Sequence, residues 1–199
     1  MNLTVNGKDV FCATGGKKFN PDLPTTVFIH GAGFNRTIWK LQTRYFAWNG
    51  GSVLAVDLPG HGRSDGPPLS SIEDMALWLS DVIESANIKM ATFIGHSMGS
   101  QIALEFAANN HEKVAALVLL GSALNIPVNP ILLESANNDA NLAFNLLNSW
   151  GYGRRAQIGC HQVPGLWMMR GGLRVLEQSA RKVLHTCLLY TSPSPRDRG

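Results

Sequence analysis

Apolar positions along this chain fall into two rhythms. Four short runs are apolar almost without interruption: TTVFI at 25–29, SVLAV at 52–56, ATFI at 91–94 and VAALVLL at 114–120. Runs of this length, rich in β-branched residues and lacking polar alternation, predict strands buried in a parallel sheet. Between them the period is helical. Ile38, Leu41, Tyr45 and Trp48 recur along a segment closed by Gly50-Gly51, which predicts an amphipathic helix over 38–48. Ile72, Met75, Ala76, Leu79, Val82 and Ile83 line one face of a segment that Ser71 caps and that runs to about residue 85. Ile102, Ala103 and Phe106 recur in a third segment that opens at Met98. Ahead of all these, residues 3–5 and 8–12 flank Asn6-Gly7, a two-residue turn that predicts a β-hairpin. Strand and helix alternate four times, so the fold class is α/β, a mostly parallel sheet with right-handed crossovers.

The grammar changes after Ala123. The string 125–130, Asn-Ile-Pro-Val-Asn-Pro, breaks the pattern, and only helical segments follow, at 130–135, 140–150 and 173–184 around a loop at 151–155. The last stretch differs again. Residues 187–197, CLLYTSPSPRD, resemble the translation of a common transposase-based sequencing adapter, codon for codon. Residues 187–199 are therefore expected to be an artefact without structure and are set aside from fold reasoning. The expected organisation is a core at 1–124, a partial helical cap at 125–186, and that tail.

Composition narrows the function classes. At 199 residues with 45% hydrophobic content and a mean hydropathy near zero, one soluble domain with a substantial core is expected. A net charge of +3 without any basic run gives no support for a nucleic-acid partner. Cys12, Cys160 and Cys187 form neither a C-x-x-C nor a disulfide framework, which fits a reducing compartment. The N-terminal residues carry no basic region followed by an apolar one, and no apolar run reaches membrane-spanning length. The expectation is a cytoplasmic protein with no membrane partner. No ligand cluster or phosphate-binding loop is present in the sequence, so neither a metal nor an organic cofactor is expected.

Chemistry concentrates at Gly95-His96-Ser97-Met98-Gly99, a G-x-S-x-G set between a strand pattern and a helix pattern. Reversing the chain so quickly puts Ser97 on a sharp, strained turn, and the helix that follows points its positive end at the hydroxyl. This stretch resembles the nucleophile elbow of the α/β-hydrolases, which makes Ser97 the expected nucleophile. Two more strings resemble the same family. His30-Gly31-Ala32-Gly33 follows the first long strand, where the family places one oxyanion-hole N–H; the resemblance implies Ala32, with Gly33 the neighbouring alternative, and Met98 as the second donor. Asp57-Leu58-Pro59-Gly60-His61-Gly62-Arg63-Ser64 resembles the D-x-P-G-x-G-x-S loop beside the active site. Its residues read as structural, His61 included, because the family order runs Ser, acid, His.

A serine nucleophile needs a base oriented by an acid. Downstream of Ser97 the histidines are His111, His161 and His185, and Asp139 is the aspartate that precedes the tail. None follows a sheet strand, where the family places its acid and base. His111 is expected at the far end of the elbow helix, about 20 Å from the serine at about 1.5 Å rise per residue. The resemblance implies a serine hydrolase acting on a carboxylic ester or related small-molecule acyl substrate through an acyl-enzyme. C–C bond hydrolases and cofactor-free perhydrolases use the same serine. The polypeptide as written is expected to be an incomplete α/β-hydrolase fold, inactive for want of acid and base, and a noncatalytic fragment on this fold is the third reading.

Overall fold

The structure is a computed structural model, and it describes residues 1–123, 128–151 and 175–176. β1 (Asn2–Val5) and β2 (Lys8–Ala13) form the expected hairpin, with Asn6 and Gly7 at φ 50° and 73° as the tight turn requires. β3 (Thr25–Ile29), β4 (Ser52–Val56), β5 (Ala91–His96) and β6 (Val114–Leu120) supply the parallel part. The sheet runs in the order β1-β2-β4-β3-β5-β6, and β2 joins β4 antiparallel.

Alternation along the buried strands sorts the core into two layers. Val27, Ile29, Leu54, Val56 and Phe93 face α2 (Ile72–Ser85) and α3 (Met98–Asn109). Phe28, Val53, Ala55 and Ile94 face the other way, onto Trp39 and Ala47 at α1 (Lys40–Trp48). The period of two in a strand makes this division automatic. In α2 the buried residues are the six the sequence pattern selects, and Ser71 Oγ accepts from the Asp74 amide at 3.0 Å as its cap.

One expectation is corrected. The segment expected as a helix over 38–48 is a 3₁₀ turn at Arg36–Trp39 followed by α1, and its inward face is Trp39, Thr43 and Ala47. Leu41, Tyr45 and Trp48 are 56%, 66% and 61% exposed. Small Thr43 and Ala47 let the helix lie close: the Gly15 turn sits so near that a Cβ there would meet the Thr43 carbonyl at 2.2 Å. The apolar stripe of α1 therefore faces solvent. β6 is the continuous apolar strand that its sequence predicts. It is an edge strand among the described residues, and Val118, Leu119 and Leu120 are each about two-fifths exposed.

Beyond β6, α4 (Pro130–Asn138) and α5 (Ala140–Gly151) pair through Leu132, Ala136, Ala140, Ala143 and Phe144. Ala32 and Phe34, from the loop after β3, pack against this small cluster. Of the helix expected at 173–184, only Val175 and Leu176 are described, both helical; Trp167, Met168, Met169 and residues 187–199 lie outside the described residues. Among the described residues no helix is long and apolar enough to cross a membrane.

Leu79 and Leu77 share α2 but not its environment: one is fully buried, the other 66% exposed. Leu79→Ala is expected to cost about 2–5 kcal/mol of unfolding free energy. Leu77→Ala should stay within about 0.5 kcal/mol, both measured by urea titration.

Candidate active site

Topology selects one end of the sheet. From β3 the chain moves to β4 on one side and then crosses back to β5 on the other. In open α/β sheets such a reversal leaves a crevice outside the carboxyl ends of the strands. Ile29 of β3 lies beside Gly95 of β5, so the loops leaving both strands start at the same level. The segment His30-Gly31-Ala32 and Ser97 emerge there together.

Ser97 adopts φ 54° and ψ −121°, a conformation that costs a non-glycine residue of order 1–3 kcal/mol. Its surroundings over-determine it. The Ser97 amide donates to the Leu120 carbonyl of β6 at 2.8 Å, and the Ser97 carbonyl accepts from the Ser100 amide at 2.8 Å. Buried Ser100 ties the elbow to both flanking strands: its hydroxyl lies 2.8 Å from the Gly95 carbonyl and accepts from the Leu120 amide at 3.2 Å. Both motif glycines are sterically obligatory. A Cβ on Gly95 would meet the Gly99 carbonyl oxygen at 2.2 Å, and one on Gly99 would meet the carbonyl oxygens of Ile29 and His30 at 2.4 and 2.6 Å. The half-buried Ser97 makes no side-chain hydrogen bond among the described residues.

The loop after β3 closes on this turn. A Cβ on Gly31 would lie 3.2 Å from Ser97 Cβ and 3.1 Å from His96 Nδ1. Neither the Ala32 nor the Met98 amide donates a hydrogen bond within the described residues. Met98 is the first residue of α3, where an amide has no acceptor inside its own helix. Donors left open at a helix start, with the dipole behind them, suit a developing negative charge.

The loop after β4 is a scaffold built around buried Asp57. Its carboxylate accepts from the Arg36 amide at 2.8 Å and the Arg63 amide at 2.9 Å, and forms an ion pair with the Arg36 guanidinium. Gly62, at φ +57°, leaves the space that carboxylate occupies, since a Cβ there would sit 2.2 Å from Oδ2. Ser64 Oγ donates to the Asp57 carbonyl at 2.7 Å and accepts from the Phe11 amide at 2.9 Å, pinning the loop to the hairpin.

Histidines surround the site, and most are structural. His30 accepts from the Leu58 amide at Nε2 and donates from Nδ1 to the Gly31 carbonyl, which fixes a neutral tautomer. Burial, more than its neighbours, pushes its pKa down to about 4. His61 lies under the loop with its ring 5.0 Å from His30 and Nδ1 2.9 Å from the Pro59 carbonyl; burial first, then His30, pushes it down to about 3. Burial also lowers the pKa of His96, whose Nδ1 has no partner among the described residues. The sequence reasoning did not single out His96 or its neighbour Trp39, although the first adjoins Ser97; Trp39 Nε1 is likewise buried and without a partner among the described residues. His111 is 90% exposed beyond the end of α3, and exposed Asp139 caps α5 by accepting from the Asn141 and Leu142 amides at 3.1 and 3.2 Å. His161 and His185 lie outside the described residues.

A strained serine on a strand–turn–helix, facing a glycine loop at the switch point of a parallel sheet, defines a hydrolase-type elbow. A model of the alpha/beta hydrolase family matches residues 26–195, so the chain belongs to that family. Among curated relatives, a putative non-heme haloperoxidase of Mycobacterium phage D29 is 36% identical over 98 residues, 49% of this chain and 35% of its own. A bifunctional esterase/perhydrolase of Acinetobacter calcoaceticus is 29% identical over 169 residues, 81% of this chain and 57% of its own. The matched stretches thus span about a third to just over half of these relatives. Among solved structures, a thermophilic esterase superposes with a TM-score of 0.73 at 25% identity, covering 95% of this chain and 66% of that one. The enol-lactonase of Burkholderia xenovorans shares the fold with a TM-score of 0.80 at 18% identity, covering 99% and 75%.

Gly99→Ala is expected to destabilise the protein by at least about 1–3 kcal/mol, since the new methyl meets backbone that cannot turn aside. Thermal unfolding reads this directly. Acidification gives a second check. His30 and His61 stay neutral in the fold while the unfolded chain takes up protons below its ordinary pKa near 6.5. Stability is therefore complete well above pH 6.5 and falls as pH drops towards about 4 for His30 and about 3 for His61, by up to about 1.4 kcal/mol per pH unit for each. Urea midpoints at pH 7 and pH 5 measure that slope, and a flat profile would contradict the assignment.

Proposed function

We propose that Ser97 is the nucleophile of an acyl-transfer hydrolase acting on small-molecule carboxylic esters. The observation that carries this reading is the strained Ser97 turn, its hydroxyl unbonded among the described residues beside Gly31. In the proposed cycle Ser97 Oγ attacks the ester carbonyl as a base removes its proton. The tetrahedral oxyanion accepts from the Ala32 and Met98 amides, the alcohol leaves protonated, and water hydrolyses the acyl-enzyme. Each such donor is worth about 3–4 kcal/mol of barrier in serine hydrolases of known mechanism. α4 and α5, seated on Ala32 and Phe34, belong in this reading to a cap over 125–186 that keeps bulk water from the crevice.

The base is none of the four described histidines closest to the elbow in sequence or space. His30 and His61 are held neutral by burial and tied to backbone groups away from Ser97, His96 precedes Ser97 with no bond to its hydroxyl, and His111 points into solvent. A second reading is favoured by relatives described as a haloperoxidase and an esterase/perhydrolase. Hydrogen peroxide in place of water would intercept the same acyl-enzyme, releasing a peracid and regenerating Ser97.

A fluorophosphonate probe tests the nucleophile and a p-nitrophenyl ester tests turnover. Labelling at Ser97, lost in Ser97→Ala, is the expected result, with no ester turnover above the Ser97→Ala control unless a base lies outside the described residues. Labelling that persists in Ser97→Ala would remove the serine from the reaction. If turnover is present, His161→Ala and His185→Ala identify which of the two carries the proton.

A further inference from the structure

A second concavity lies on the flank of α1, lined by Ala13, Thr14, Gly15 and Gly16 on one side and by the helix on the other. It holds about 350 Å³, the size of a small-ligand pocket. Its helical wall carries a ridge, Lys40, Arg44 and Trp48 at intervals of four along α1, with Arg36 of the preceding 3₁₀ turn beside it. The opposite wall is a turn that only glycine permits. Gly15 and Gly16 take φ +67° and +86°, Gly15 presses on the Thr43 carbonyl, and Gly16 has open space where a Cβ would be. The Trp48 indole N–H donates to the Gly15 carbonyl at 3.3 Å, locking turn and helix together.

The electrostatics of this groove are one-sided. No carboxylate lines it, and the sequence contains no acidic residue between Asp22 and Asp57. Arg36 is neutralised by its ion pair with Asp57 and lies over the Phe11 ring. Lys40 and Arg44 are exposed and form no ion pair among the described residues. A third cation, Lys17, is not part of the lining but lies 4.7 Å over the Trp48 ring. Unpaired cations beside an exposed indole match a molecule with an anionic head and a flat apolar body.

The geometry points to a binding site here for a small organic anion, its phosphate or carboxylate held by Lys40 and Arg44 and its planar body against Trp48. The site is separate from the elbow. β2 runs antiparallel to β4, with Ala13 beside Ala55, so the Gly15-Gly16 turn lies towards the amino ends of the parallel strands, whereas Ser97 stands at their carboxyl ends. The proposal does not rest on the Ser97 reading.

The test is calorimetric titration of the full chain with 1-naphthyl phosphate, with 1-naphthol and inorganic phosphate as the body and the head alone. A Kd below about 1 mM is expected for the phosphate ester, with each half at least about tenfold weaker. Lys40→Gln/Arg44→Gln should weaken binding at least about tenfold, and Trp48→Leu several-fold. Lys8→Gln/Lys89→Gln, which removes the same charge elsewhere, should leave it unchanged. All substituted side chains are exposed, and circular dichroism confirms that each variant folds. The proposal is overturned by no binding of 1-naphthyl phosphate up to about 5 mM. It is equally overturned by binding that survives in Lys40→Gln/Arg44→Gln, which would place the anion elsewhere, the elbow included.

Discussion

Everything at the candidate site depends on how closely α3 can approach β3. Gly99 carries no side chain, so the first turn of α3 rests almost on the carbonyl oxygens of Ile29 and His30, and Gly95 in turn makes room for Gly99. That contact holds the positive end of α3 against the end of the sheet. It also forces the chain between β5 and α3 into a turn so short that Ser97 takes a backbone conformation most residues avoid. The strain is offset by backbone bonds to Leu120 and Ser100 and by the buried Ser100 hydroxyl between two strands. The strained Ser97 turn, the open Met98 amide and the aim of the helix dipole share one geometric cause.

The two neighbouring loops are stabilised by different means, and this explains their different sequence signatures. The loop after β3 comes near Ser97, so it is small: a Cβ on Gly31 would come within 3.1 Å of His96 and 3.2 Å of Ser97. The loop after β4 stays rigid without approaching Ser97, and it is organised by a buried carboxylate. Asp57 collects the Arg36 side chain and two amides, one from its own loop and one from the start of the 3₁₀ turn. It therefore fastens the loops after β3 and β4 to each other. A buried carboxylate with so many donors holds position well, and leaving its partners unmet would be costly.

How much of this was legible in the sequence follows from what each signal measures. The buried strands β3, β4 and β5, the inward face of α2 and the elbow were all readable, because burial on both faces, a period near 3.6 and obligatory glycines leave marks on residue identity. α1 was legible as a helix but not in orientation. Its stripe of Leu41, Tyr45 and Trp48 carries the stronger apolar period, yet the sheet selects Thr43 and Ala47, whose small size permits close packing. Hydrophobic period reports which residues avoid water in isolation; the required distance between layers is a property of the partner surface. β6 shows the same limit, since an apolar strand reads alike whether it has one neighbour or two. The hydrogen-bonding of His30 and His61 was invisible for a related reason. Each is fixed by backbone groups, and backbone groups have no signature in sequence.

The exposed stripe of α1 and the contact between α4, α5 and the loop after β3 put the molecule's two unusual surfaces under separate control. Ala32 lies in both apolar clusters, touching the main core beneath it and the α4–α5 pair above. The loop after β3 is therefore shaped in part by residues far along the chain. α1 contributes in the opposite sense. Trp39 at its start packs on Phe28 and reaches His96, while Trp48 at its end closes the glycine turn. One short helix thus buttresses the elbow from below with its inward aromatic and presents a cationic, aromatic wall with its outward ridge. Thr43 and Ala47 make both possible, because larger residues there would lift α1 from the sheet, pulling Trp39 off Phe28 and opening the Gly15 contact together.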